Sequence, residues 1–237
     1  MEFISSLAHR IPRLYRNLLP IPCFLCGGPS YQYALCSHCI AEMPLIKTAC
    51  SKCARPLPHG HICGQCLQKP PPYTAAFSLF VYQEPVDRCI AAFKYHNQLS
   101  FIDYFADMSA AKLACRESLP ECMVPIPLHS HRLRQRGYNQ SYEFSKKLAQ
   151  HLNMNVRTDI LNRVRNTPPQ ASLTLKQRRQ NMKNAFACTR TTLPETIALI
   201  DDVYTTGITL AEATKTLQRH GAKHIEVWTI ARAIRHY

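Results

Sequence analysis

The sequence predicts an α/β fold built on a parallel sheet, with a small cysteine-rich module ahead of it. Three observations carry this. From residue 75 onward, short apolar runs of strand length alternate with amphipathic helical stretches, the pattern of a parallel sheet covered by helices on both faces. One of these runs, Ile197-Ala198-Leu199-Ile200, leads into two adjacent carboxylates and then a turn of hydroxyl residues that opens a helix. Finally, eight of the 12 cysteines stand as C-x-x-C pairs before residue 70. With 237 residues, 46% of them hydrophobic, the chain can fold one medium domain beside a small module.

Residues 1–21 form a basic segment in which a short apolar patch, Ile4 to Leu7, is broken by His9, Arg10, Pro12, Arg13 and Arg16. This does not read as a secretory signal. It fits a tethered or frayed terminus better than an amphipathic helix on a membrane surface. Residues 22–69 hold Cys23/Cys26, Cys36/Cys39, Cys50/Cys53 and Cys63/Cys66. Every cysteine of the first half has a counterpart 27 residues later, which marks an internal duplication. Each half supplies four thiolates, the set that a tetrahedral structural zinc needs. Two structural zinc ions are therefore expected, since a module of roughly 50 residues has too little core to fold without metal. The repeat favours one zinc per half, and a cross-braced arrangement stays open. Redox-active C-x-x-C pairs are a weaker reading. His38, His59 and His61 read as surface residues, and Cys89, Cys115, Cys122 and Cys188 as small core hydrophobes.

Residues 70–74, with Pro70-Pro71-Pro72, read as a stiff linker. In the domain over residues 75–237, the pattern predicts a strand over 75–82, helices over 85–95 and 102–115, and a strand over 123–128. A helix over 142–152, a short strand over 156–160 and a basic helix over 175–184 follow. The apolar run 197–200 is the central strand, a helix spans 208–220 with Gly221 ending it, and 224–231 is the last strand.

Asp201 and Asp202 sit at the carboxyl end of the central strand, where open α/β sheets bind ligands. Two carboxylates there suit the hydroxyls of a ribose. Tyr204, Thr205, Thr206, Gly207 and Thr209 form the turn into the next helix, whose unpaired amides and positive dipole end suit a phosphate. Residues 196–210 resemble the phosphoribosyl-pyrophosphate loop of type I phosphoribosyltransferases. Arg132, Arg134 and Arg136 alternate along a predicted loop, and guanidinium forks bind phosphate oxygens bidentately. Asn139 and Gln140 either cap the next helix or bind ligand. Residues 167–181, including Gln170, Arg178 and Asn181, read as a mobile loop that leads into a basic helix, a candidate lid. Lys94 is either a helix-capping lysine or an anion ligand.

Taken in order, several features resemble the ComF family of competence proteins. These are the double cysteine module, Phe93-Lys94-Tyr95, Pro125-Ile-Pro-Leu128 with Arg132, Arg136-Gly-Tyr-Asn-Gln140, the Gln170/Leu173/Arg178/Asn181 spacing and the Asp201–Thr209 loop. The resemblance implies a double zinc ribbon joined to a type I phosphoribosyltransferase-like sheet. It also implies a cytoplasmic factor for natural transformation that handles incoming single-stranded DNA.

Charge supports an anionic partner. Of a formal net charge of +14, +11 falls in residues 123–190, which hold 13 basic and 2 acidic side chains. Three functions follow. The first is a DNA-uptake factor that binds phosphoribosyl pyrophosphate and single-stranded DNA, with a helicase or channel protein as a further partner; Tyr138, Tyr142 and Phe144 interleave with the basic residues as stacking faces, although Phe144 and at least one of the tyrosines read better as core. The second is an active phosphoribosyltransferase, with the acidic pair on the ribose and Mg²⁺ with Arg132 or Arg136 on the pyrophosphate. The third is a structural adaptor in which the sites are relics. No run approaches the roughly 18–20 apolar residues of a membrane span, so the expected location is cytoplasmic, with weak association at the inner face of the membrane as an alternative.

Overall fold

The structure is a computed structural model that describes residues 20–95, 100–166 and 175–234. The basic segment up to residue 19, Gln170, Leu173 and the side chain of Arg178 lie outside the described residues.

The ribbon module contains β1 (Ile21–Pro22), β2 (Pro29–Ser30) and the short helices α1 (Ser37–Ala41) and α2 (Gly64–Gln68). β1 and β2 pair antiparallel around the first cysteine knuckle. Each helix begins immediately after a cysteine, Cys36 and Cys63, which places the second C-x-x-C of each half on a helical first turn.

Five strands form the main sheet: β3 (Ala75–Val81), β4 (Cys122–Pro125), β5 (Asn155–Val156), β8 (Thr196–Tyr204) and β9 (His224–Arg232). Their order is β3-β9-β8-β4-β5 and all neighbours are parallel. The helices are α3 (Val86–Tyr95), α4 (Ser100–Leu113), α5 (Ser130–Arg136), α6 (Gln140–Leu152), α7 (Leu175–Met182) and α8 (Ile208–Arg219). β6 (Leu161–Arg163) and β7 (Phe186–Cys188) form a separate antiparallel pair.

The sheet is buried on both faces, which is why its central strands read as unbroken apolar runs instead of alternating ones. Side chains still alternate in space. Ala198 and Ile200 join Trp228, Phe93, Phe105 and Phe144 in one core. Ile197 and Leu199 join Val227, Ile225, Leu210 and Leu217 in the other. One ribbon docks in each core. Phe24 packs edge-on to Phe101 at 4.8 Å and Tyr33 donates to Asp107 at 2.6 Å, which holds the first ribbon on α4. All four second-ribbon cysteines lie in the core that contains α8.

Three expectations are corrected. The arginine-rich stretch predicted as a loop folds into α5 over Ser130–Arg136, capped by Gly137 in the left-handed conformation with φ 78°. The strand expected over 156–160 ends at Val156, and chain pairing resumes only in β6. Cys89 and Cys122 are core residues, but Cys115 is exposed at the frayed end of α4 and Cys188 is only half-buried.

Candidate metal centres and acidic-pair site

The eight C-x-x-C cysteines gather into two clusters, Cys23/Cys26/Cys36/Cys39 and Cys50/Cys53/Cys63/Cys66, with all four Sγ atoms of each within 4.8 Å of one another. The arrangement is sequential, one cluster per repeat, which decides against cross-bracing. Cys26 and Cys36 Sγ are 3.7 Å apart, as are Cys53 and Cys63 Sγ. A tetrahedron with Zn–S bonds of about 2.3 Å has edges of about 3.8 Å, so the donor set fits zinc. Backbone amides are aimed at the sulfurs: Cys36 N–H points at Cys23 Sγ at 3.4 Å, and Cys63 N–H at Cys50 Sγ at 3.3 Å. Burial raises the Cys23 thiol, but the amides of Cys26, Cys36 and Leu25 outweigh it and bring it down to about 6; Cys50 falls to about 7 for the same reason. Thiolate is the form that metal requires. Four sulfurs per cluster leave no open position, so both centres are structural.

The acidic pair lies near the end of β8, held by two helices. Asp201 Oδ1 accepts hydrogen bonds from Ser141 Oγ at 3.0 Å and from the amide of Asp202 at 2.9 Å. Asp202 Oδ1 is 3.0 Å from Lys94 Nζ. Ser141 comes from the first turn of α6 and Lys94 from the last turn of α3. Lys94 is therefore a counter-ion for the pair rather than a simple cap. Burial pushes the Asp201 carboxyl up, the Asp202 charge pushes it further, and Lys94 only partly opposes this, which leaves it at about 7. Burial pulls the Lys94 ammonium down, but Asp202 and Asp201 outweigh it and its pKa is raised.

The connection before α6 is locked onto the same corner. The Asn139 side chain caps α6 by accepting from Ser141 N–H at 3.0 Å, and donates to Ile126 O at 3.0 Å. Tyr138 donates to the Phe93 carbonyl, next to Lys94. Arg136 Nη1 donates to Gln140 Oε1 at 3.1 Å, while Gln140 Nε2 is buried with no hydrogen-bond partner among the described residues. A buried unpaired donor costs about 1–3 kcal/mol, which points to a missing acceptor.

The loop from Thr205 to Gly207 joins β8 to α8, with Gly207 as N-cap at φ 74°. Thr206 Oγ1 accepts from Ile208 N–H at 3.4 Å. A Cβ on Gly207 would lie 2.8 Å from the Tyr204 ring, so the ring packs directly beneath the loop. Tyr204 is buried; its hydroxyl bonds to that of Tyr73, and the Arg232 guanidinium lies 4.0 Å over its ring.

Of the predicted arginines, Arg136 is placed beside Gln140, and Arg132 bears on a residue that the sequence reading passed over. Arg163, on β6, is lowered by burial and by the Arg132 charge, with Asp201 acting in the opposite sense. Arg163 therefore shares the field of the acidic pair. It escaped notice because it lies on a short two-stranded ribbon outside any motif; its membership of the basic stretch was the available signal. Asn181 stands on α7 with a buried Nδ2 that has no hydrogen-bond partner among the described residues. Phe144 is in the core, and Tyr138 and Tyr142 are half-buried.

On the other side of the loop, a cleft of about 1440 Å³ runs between the second ribbon, the proline linker, α7 and α8. The exposed Lys69, Arg179, Lys183, Lys215 and Arg219 and the buried Arg232 line it against a single acid, Glu212. Among the described residues, no helix is long and apolar enough to cross a membrane.

Comparison with known proteins agrees with this architecture. Residues 14–67 match the family model described as a double zinc ribbon domain. The chain is 35% identical to competence protein F of Haemophilus influenzae, over 92% of this chain and 99% of that protein. It is 31% identical to the DNA utilization protein YhgH of Escherichia coli K12, over 92% of this chain and 100% of that protein. A more distant similarity, 26% over 65% of this chain and 67% of the relative, joins it to competence protein ComFC of Streptococcus pneumoniae. With a double zinc ribbon in front and near-complete coverage of both full-length relatives, the chain belongs to the family of competence protein F and DNA utilization protein YhgH.

Proposed function

We propose that this protein is a competence factor for DNA uptake that binds phosphoribosyl pyrophosphate at the acidic pair and single-stranded DNA along its basic surface. The observation that carries the reading is the acidic pair itself: Asp201 and Asp202, held by Ser141 and Lys94, directly before the amino end of α8. Carboxylates in that position accept the vicinal hydroxyls of ribose. The loop from Thr205 to Thr209 then receives the 5′-phosphate at the amino end of α8, where the helix dipole is positive. Arg132 and Arg136 are the cations for the pyrophosphate, and Gln140 Nε2 is a buried donor that an anionic oxygen would satisfy. Mg²⁺ would accompany the diphosphate, for which the hard oxygens of Asp201 and Asp202 are suitable ligands. Of the candidate lid residues, Arg178 and Asn181 belong to α7, which borders the cleft at Arg179 and, just beyond its end, Lys183.

The relatives' names, competence protein F and DNA utilization protein, support a role in handling DNA. The cleft supports a polyanion because five exposed cations face one acid across it. Such a protein acts in the cytoplasm, where reduced thiolates hold zinc, beside the helicase or channel that delivers the strand. Calorimetric titration with phosphoribosyl pyrophosphate and Mg²⁺ tests the ligand. The parent protein should bind and an Asp201→Asn/Asp202→Asn variant should not; no binding by the parent sinks the reading.

A second reading is an active phosphoribosyltransferase, favoured by the intact acidic pair. It requires pyrophosphate release on addition of a nucleobase or amine acceptor. Binding without release across a panel of acceptors decides for the first reading.

A further inference from the structure

The two cysteine clusters are copies in sequence but not in position. The second reaches the Thr205–Gly207 loop through Arg232, at the end of β9. Arg232 is 6% exposed. Its Nε donates to the carbonyl oxygen of Cys53, a member of the second cluster, at 2.8 Å. Its Nη1 donates to Tyr204 O at 2.9 Å and Thr205 O at 2.7 Å, and its plane covers the Tyr204 ring. That ring in turn carries Gly207, the N-cap of α8, so close that a methyl group there would collide with it. Tyr73, which bonds to the Tyr204 hydroxyl, belongs to the same core as the second cluster. One planar cation thus joins a cysteine knuckle to the backbone of the loop. Only a guanidinium has the fork to reach all these carbonyls at once. Cys23 and Cys39 of the first cluster sit in the opposite core, against α4.

We infer that Arg232 couples metal at the second cysteine cluster to the shape of the Thr205–Gly207 loop, so that zinc there and a phosphorylated ligand on the loop strengthen one another. Metal at the first cluster has no part in this. The knuckle holds the Cys53 carbonyl in place only while Cys50, Cys53, Cys63 and Cys66 are gathered. When they part, Arg232 loses one anchor, and the loop carbonyls and the Tyr204 ring lose their fixed support. Linkage makes the effect reciprocal: the factor by which zinc raises ligand affinity equals the factor by which ligand raises zinc affinity. The ligand half of this inference rests on the function proposed above; the loop half does not.

The test uses the full-length, zinc-loaded protein and a graded chelator titration. Alkylation mass spectrometry reports which cysteines have been freed. Hydrogen exchange reports the amides of residues 203–209, and calorimetry reports phosphoribosyl pyrophosphate with Mg²⁺. Loop exchange should quicken at least tenfold in step with freeing of the second cluster, and ligand affinity should fall at least tenfold with it. Saturating ligand should protect the second cluster from chelator by the same factor. In Arg232→Lys with both metals bound, loop exchange should already be fast, and chelation should change it less than twofold. Exchange that tracks the first cluster, or neither, overturns the inference. So does an Arg232→Lys loop as protected as the parent's, which decides the matter if both metals leave together. If the parent protein does not bind the ligand, the proposed function fails, while the exchange result still judges the coupling.

Discussion

Replacing Asp201 by asparagine should remove a pH dependence of stability that runs in one direction only, and abolish the binding proposed above. Both hydrogen bonds that Asp201 accepts, from Ser141 Oγ and from Asp202 N–H, go to its Oδ1, so an asparagine oxygen keeps both. What the variant removes is a charge. Burial and Asp202 raise the Asp201 carboxyl from 3.8 to about 7, so between these values the folded chain binds a proton that the unfolded chain does not. Stability therefore falls as pH rises through that window and levels off above about pH 7. Each pH unit inside the window costs about 1.4 kcal/mol, so the parent loses about 3 kcal/mol against the variant between pH 5 and pH 8. The new amide donor, if unpaired, subtracts about 1–3 kcal/mol from the variant at every pH and does not alter the slope. For a chain of this size, 1 kcal/mol shifts Tm by about 2–4 °C, so the gap in Tm should widen by about 6–12 °C from pH 5 to pH 8. Thermal denaturation of both proteins across that range is the assay. A gap that stays constant with pH would mean that Asp201 is ionised throughout, and the raised carboxyl would be wrong. The same proton governs binding. On the proposed function, phosphoribosyl pyrophosphate with Mg²⁺ would need the carboxylate, so its affinity should rise up to about tenfold from pH 6 to pH 8 in the parent protein.

Gly207→Ala should cost about 1–3 kcal/mol, because the new methyl meets the Tyr204 ring at 2.8 Å and φ is 74°; unchanged thermal stability would show that the ring moves freely aside. Elemental analysis of reduced protein should find about two zinc per chain, and chelation should unfold the ribbons, as seen in cysteine reactivity; a content near zero would overturn both centres. Single-stranded DNA affinity should fall with salt at a log–log slope near −3.5 for five cleft cations, or about 100-fold from 50 to 200 mM. Lys215→Glu with Arg219→Glu should flatten that slope by more than 1, and a slope that the pair leaves untouched would place the strand elsewhere.

Much of this architecture was readable from the sequence because it is written in period and spacing. The 27-residue offset of the cysteines is a local signal, and so is an apolar run that ends in two acids. What escaped depends on contacts between distant segments. Arg163 and Arg232 are single basic residues on strands, one among 13 in the basic stretch and the other near the C-terminus. Nothing local separates them from solvated charges. Burial and the partners supplied by other elements give them roles, and the partners of Arg232 in the loop and the cysteine knuckle are 27 or more residues away. The arginine stretch misled for a related reason. Its alternating charges look extended, but the His129 cap and Gly137 at φ 78° start and stop a helical turn that no apolar stripe announces.

The duplication itself acquires a different meaning once the two cores are seen. Tandem copies of one knuckle have equal metal sets, yet each copy buries its apolar surface where the sheet offers it. The first covers α4 through Phe24 and Tyr33. The second packs in the core of α8, beside the Thr205–Gly207 loop. A parallel sheet needs both faces covered, and its ligand site lies at the carboxyl ends of its strands. A second ribbon docked there stands next to the ligand loop by geometry alone, and its metal acquires a purchase on that loop that the first lacks. The Cys53 carbonyl, Arg232 and Tyr204 are the groups through which that purchase acts. This explains why the second cluster is wholly buried while Cys26 of the first is exposed. A knuckle that only covers a helix tolerates solvent on one ligand, whereas one that braces a binding loop must hold its backbone rigid.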